Sequence, residues 1–205
     1  MMHRSRNLTA ALKAFGRRED GVAAVEFALI VPFLLTLYFG SMEASALFTA
    51  DKRINSISST VGDLVSQWDP NDGKIPSGTL NDYFGASAGL ITPYASTGVK
   101  IVISLVEVKA DGTTKVLWSQ GYGGGTTWSV NAVYTPLTSS SQMNQIARGG
   151  CIVAAEASYS YKPVLGQIFT SALNLKHTNY FLPRYGGAYP INLSTTSLAS
   201  NACTA

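Results

Sequence analysis

Residues 22–39 read Val-Ala-Ala-Val-Glu-Phe-Ala-Leu-Ile-Val-Pro-Phe-Leu-Leu-Thr-Leu-Tyr-Phe, an apolar run with one charge, Glu26. As a helix rising about 1.5 Å per residue it would span about 27 Å, close to the thickness of a bilayer's hydrocarbon layer. A segment of this kind has to be helical and has to lie in lipid or against other apolar helices. Gly40 and Ser41 follow, and Met42 to Ala50 remain compatible with helix. Beyond them Leu47, Ile54, Ile57, Val61, Leu64 and Val65 recur at steps of three, four and seven. The pattern predicts one helix over residues 22–65, apolar all round at first and amphipathic later.

The charge distribution orients that helix. Residues 1–21 hold five basic and two acidic residues, which is the whole net charge of +3; the other ten basic and ten acidic residues balance. A basic body would point to nucleic acid. A neutral body behind a basic leader points instead to membrane targeting, and no nucleic-acid partner is expected. The excess of basic residues before the apolar run places the N-terminus in the cytoplasm and everything after residue 45 outside it. Only 13% of the chain is charged, against about 25% in a typical soluble domain, which suits a protein held in lipid or packed against copies of itself.

The remainder reads as a mixed body. Trp68-Asp-Pro-Asn-Asp-Gly73 is a turn that ends the helix, and a short helix should follow from Pro76 through Leu90, capped by Ser77 or Thr79. Residues 99–108 read as a strand, Asp111-Gly112 as its turn and residues 115–119 as the hairpin partner. Cys151 to Tyr161 is a third strand, residues 164–175 a short helix or loop, and His177 to Leu182 a possible fourth strand. Gly121-Tyr-Gly-Gly-Gly125 lacks the Lys-Ser or Lys-Thr of a phosphate loop and reads as a flexible loop. Tyr159 and Tyr161 alternate with small residues, as strand packing does. Glu43, at the outer end of the span, reads as a solvated boundary residue, the alternative being a charge that pairs with a partner.

Cys151 and Cys203 are the only cysteines, and with His3 and His177 they form no recognised metal spacing. If the body lies outside the cytoplasm they are expected to form a disulfide, the alternative being a buried Cys151 thiol beside a free tail. No nucleophile elbow surrounds any serine and His177 has no arranged partner in sequence, so neither catalysis nor a cofactor or metal is expected.

The junction carries a resemblance. Arg17-Arg18-Glu19-Asp20-Gly21 precedes Val22-Ala-Ala-Val-Glu26-Phe27, so the small residues stand before the apolar core rather than after it. A general secretory signal has the reverse order. A basic leader, a glycine, four small or apolar residues, a glutamate, an aromatic residue and an apolar run resemble the prepilin processing site. The stretch as a whole resembles the TadE-like pseudopilins of the tight-adherence (Flp-type) pilus system. The likeness covers residues 16–45, with a weaker echo in Ala157-Ser-Tyr-Ser-Tyr-Lys-Pro163 and Leu182-Pro-Arg184. It implies cleavage between Gly21 and Val22 by a membrane-embedded prepilin peptidase, and contacts with the inner membrane, other pilin-like subunits and the pilus assembly machinery.

Elementary physics makes that junction intelligible. Cleavage would leave the α-amino group of Val22 at a helix N-terminus, where the helix dipole disfavours positive charge. Glu26, four residues on and about 6 Å along the axis, would offset it there or in a neighbouring subunit; otherwise it is an interfacial residue of a plain anchor. Pro32 removes one helical hydrogen bond, giving either a bend used in subunit packing or a tolerated membrane proline.

The expected architecture is therefore α+β. A cleaved leader over 1–21 precedes a membrane-spanning and amphipathic helix over 22–65, whose outer half packs on a small antiparallel sheet in an extracytoplasmic domain over 66–205. The expected function is that of a minor pilin-like subunit or assembly factor. The alternative is an uncleaved single-span anchor carrying a periplasmic binding domain.

Overall fold

The structure, a computed structural model, describes residues 20–163, 171–187, 190–196, 198–199 and 202–203. The leader up to residue 19, and residues 164–170 of the segment read as a short helix or loop, lie outside the described residues. The chain divides into two compact units, Met1–Ser45 and Ala46–Ala205.

Helix α1, Asp20–Ser66, runs without interruption through both units and contains Pro32. In the first unit every described residue from 21 to 39 is exposed except Val31, which is partly covered; Phe27 and Leu29 are 67% and 74% exposed. Glu43 departs from its expected place at a solvated boundary, being only 2% exposed. In the second unit Ile54, Ile57, Val61 and Val65 are fully buried. Their steps of three and four put them on one helix face.

That face lies on a four-stranded antiparallel sheet formed by β1 (Val99–Val108), β2 (Thr114–Tyr122), β3 (Gly150–Tyr161) and β4 (Leu173–Phe181), in the order β2-β1-β3-β4. The hairpin and the third strand fall where the sequence predicts them. The fourth begins earlier than His177, because Leu173 and Leu175 already pair with Tyr161 and Tyr159. The short helix α2 is Ser77–Ala88, but neither Ser77 nor Thr79 caps it. Pro76 holds the N-cap position in extended backbone, so Ser77 is already inside the first turn.

The sheet is covered on both sides. On one, Ile101, Ile103, Leu105, Val153, Ala155 and Ala157 pack against α1, α2 and the tail residues Ile191 and Leu193. On the other, Val106, Val108, Ile152 and Ala154 lie under Tyr134, Leu137 and Ala147, with Trp128 and Met143 beside them. Those covering residues come from the irregular connection that carries helix α3 (Gln142–Ile146). The glycine-rich loop at its start packs closely on β1 at Gly125, where a Cβ would come within 2.6 Å of the Ile101 carbonyl oxygen.

Gly62 marks the closest approach of α1 to the sheet. A Cβ there would lie 2.8 Å from Ala155 Cβ and overlap the Phe181 ring. Helix propensity alone predicts that replacing a helical glycine stabilises a protein by up to about 1 kcal/mol. Overpacking should dominate here, and Gly62→Val is expected to destabilise the body by about 1–3 kcal/mol. Thermal unfolding of the two proteins checks the sign, and an unchanged or raised Tm would contradict this packing.

Candidate functional site

The residues singled out by sequence lie together on the first turns of α1. Gly21, Val22, Glu26, Phe27 and Pro32 are all exposed and all helical. Nothing lies within 4 Å of the position a Cβ would take on Gly21. Glycine within a helix costs about 1 kcal/mol relative to alanine, and at this position neither a close contact nor a positive φ calls for it. The fold therefore gives no reason for the glycine.

The exposed apolar surface continues over Phe33, Leu34, Leu35, Leu37, Tyr38 and Phe39, each at least 40% exposed. An apolar surface of this extent marks an interface with lipid or protein. By length and composition α1 is able to cross a membrane. Thr36 Oγ1 donates to the Pro32 carbonyl oxygen at 2.8 Å, a bond to an oxygen one turn back that keeps this hydroxyl satisfied inside an apolar surface. The geometry presents an apolar rod with one carboxylate near its start, suited to burial in lipid or against other apolar surfaces.

In the body, Cys151 and Cys203 are joined as a disulfide, both fully buried in the main core. The pattern Leu182-Pro-Arg184 closes the end of α1. The Arg184 N–H donates to Ser66 O at 2.9 Å, and its guanidinium lies 2.6 Å from Asp63 Oδ1. Nearer the start of β4, His177 Nε2 lies 2.8 Å from Asp51 Oδ1, and Asn179 donates to Asn55 and Ser58. The Arg184–Asp63 ion pair is partly exposed and contributes little stability; with the His177 and Asn179 contacts it ties β4 and the segment after it to α1.

One polar cluster escaped the sequence reading. Glu156, buried on β3, accepts from Trp128 Nε1 at 2.7 Å and Tyr134 Oη at 3.0 Å through Oε1, and meets Lys176 Nζ at 2.6 Å through Oε2. Burial, reinforced by the Glu156 charge, pushes the Tyr134 hydroxyl well above its ordinary range, so it stays a donor. Every partner is a donor to the carboxylate, so the cluster clamps the covering loop to the sheet. The signal was present: a lone Glu in Cys-Ile-Val-Ala-Ala-Glu-Ala, a buried strand, requires partners. Among the described residues no three His, Cys, Asp or Glu side chains gather as a metal site.

Residues 21–61 match the family model of TadE-like proteins. No curated protein and no solved structure matches the chain.

Proposed function

We propose that this protein is a minor pilin-like subunit or assembly factor of a tight-adherence pilus, anchored in the inner membrane by α1 with its body in the periplasm and processed between Gly21 and Val22. The observation that carries this reading is the coincidence of the TadE-like match with the exposed apolar half of α1: the match begins at Gly21. The TadE-like family points to the tight-adherence pilus, and a non-enzymatic, structural role accords with it. The partners on this reading are the prepilin peptidase, neighbouring pilin-like helices and the assembly machinery.

A second reading, an uncleaved anchor holding a periplasmic binding domain, draws on the body from residue 62 onward, which lies outside the match and has a core on each side of its sheet. N-terminal sequencing of the protein extracted from membranes separates the two. A start at Val22 supports the pilus reading, and an intact leader supports the anchor.

Glu26 supplies a further test. A carboxylate in the apolar zone costs about 2–4 kcal/mol near the bilayer centre and less toward the interface. Glu26→Ala is therefore expected to insert in the membrane at least as well as the parent. It should lose co-isolation with other pilus components, because the partner of the Val22 amine is gone. Co-isolation at parental yield would favour the plain anchor.

A further inference from the structure

The two faces of the sheet are held by different means. On the α1 side the core joins α1, α2 and the tail, and the Cys151–Cys203 bridge is buried within it. Trp118 Nε1 donates to Ile191 O, Ile75 N–H donates to Asn192 O at 2.9 Å, and Arg184 closes on Ser66 and Asp63. None of these contacts involves the cover on the opposite face. That cover runs from Thr126 to Arg148, and its regular structure is the five-residue α3.

The cover meets the sheet through single groups. Tyr134, Leu137 and Ala147 are its buried apolar residues, set on Val106, Val108, Val116, Ile152 and Ala154. Val116 N–H donates to Ala132 O at 2.9 Å, and Asn131 N–H donates to Val116 O at 2.8 Å. Thr114 Oγ1 donates to Tyr134 O and accepts from Tyr134 N–H. Glu156 adds the charged tie, through Trp128 and Tyr134. At one end the chain is fixed, since Gly125 packs on Ile101. At the other, Gly149 has φ +72° and nothing within 4 Å of the position of a Cβ, so the backbone turns there without a clash.

A segment with few apolar anchors, joined to a body stapled elsewhere, belongs to the low-stability end of a fold. We propose that the cover from Thr126 to Arg148 opens as one unit while the α1 side stays folded, with Glu156 as its latch. Opening parts Glu156 Oε1 from Trp128 and Tyr134 and leaves Lys176 as the partner of the carboxylate. It uncovers Val106, Val108, Ile152 and Ala154 and frees both backbone groups of Val116 on the outer edge of β2. An apolar face beside unpaired edge groups is a surface on which an extended segment can add as a strand. The closed body withholds it.

Residue-resolved hydrogen exchange on the full-length protein in mild detergent, repeated at rising low concentrations of urea, tests this. The amides of Val116, Asn131 and Tyr134 bond between cover and sheet, and those of Ile75, Arg184 and Ser194 bond on the α1 side. The first set is expected to show protection at least about tenfold lower than the second. Its members should share one shallower dependence on urea, since opening exposes less surface than unfolding. Glu156→Gln keeps the shape of the acceptor and removes its charge. It should lower protection of the first set at least about tenfold further and leave the second unchanged. Equal protection and equal urea dependence of the two sets in the parent overturn the proposal, because the cover then leaves only with the whole body. Unlike dependences within the first set overturn it as well, by showing residues that fray singly. A Glu156→Gln protein in which both sets lose protection equally overturns the latch. If that variant does not fold, the comparison of the two sets in the parent decides.

Discussion

Removing the disulfide, as Cys151→Ala with Cys203→Ala or by reducing the parent, is expected to lower the stability of the body by up to about 4 kcal/mol. The bridge closes a loop with a sequence separation of 52 residues, and the chain-entropy model assigns about 4 kcal/mol to a loop of that length. For a body of this size each kcal/mol shifts Tm by about 2–4 °C, so thermal unfolding should show a fall on the order of 10 °C. The tail should nevertheless stay in place near Ile191. Ile191 and Leu193 are buried, Trp118 Nε1 donates to Ile191 O at 2.7 Å, and Ile75 and Leu193 form a parallel bridge. Hydrogen exchange on the reduced protein checks this: protection at Ser194 N–H, which bonds Ile75 O at 2.9 Å, should survive. A Tm change of less than about 2 °C would show that the reduced chain loses little loop entropy.

The tail is rich in Ser and Thr and offers little apolar surface of its own. Ile191 and Leu193 are buried and Leu198 is partly buried, because each meets a core already built by α1, α2 and β1. Composition counts residues, whereas burial depends on where the chain delivers them.

The elements legible in the sequence were those whose signal is local. Residues 99–108 alternate little and carry one lysine and one glutamate, and they form β1 as read. The same run held a further message: a strand with almost no polar alternation is one buried on both faces. Nine of its ten residues are buried, which requires a cover on the side away from α1. The cover is the connection from Gly123 to Gly149, where no periodicity was visible because most of its residues are irregular. Trp128, Tyr134 and Leu137 act there as single anchors, and single anchors leave no period.

The candidate site divides along the same line. Gly21, Glu26 and Phe27 stand out in the sequence because the processing signal proposed for them is one read along an extended chain, in sequence order. The Glu156 clamp does not, since its donors are 28, 22 and 20 residues away. Glu43 was misplaced for a related reason: its neighbours in sequence suggested a boundary, and burial is a property of the folded chain.

Replacing Gly21 by leucine is expected to leave the protein at full length in the membrane, with no detectable product beginning at Val22. A peptidase has to draw the residue before the scissile bond into extended backbone within a narrow cleft, where glycine opposes it least and a branched side chain collides. The usual objection to such a variant is that it misfolds, and the structure removes it. The space around a Cβ at position 21 is empty, the residue lies in the first turn of α1, and leucine favours helix over glycine by about 0.5–1 kcal/mol. Insertion should be unchanged or improved, since the substitution adds apolar surface at the start of an apolar segment. Gly21→Ala, which adds one methyl group, should be processed slowly and serves as the graded control. Immunoblotting and N-terminal sequencing of membrane fractions from cells that contain the peptidase provide the measurement. If the leucine variant is shortened as efficiently as the parent, Gly21 does not direct cleavage, and the exposed apolar half of α1 is better explained as a permanent anchor.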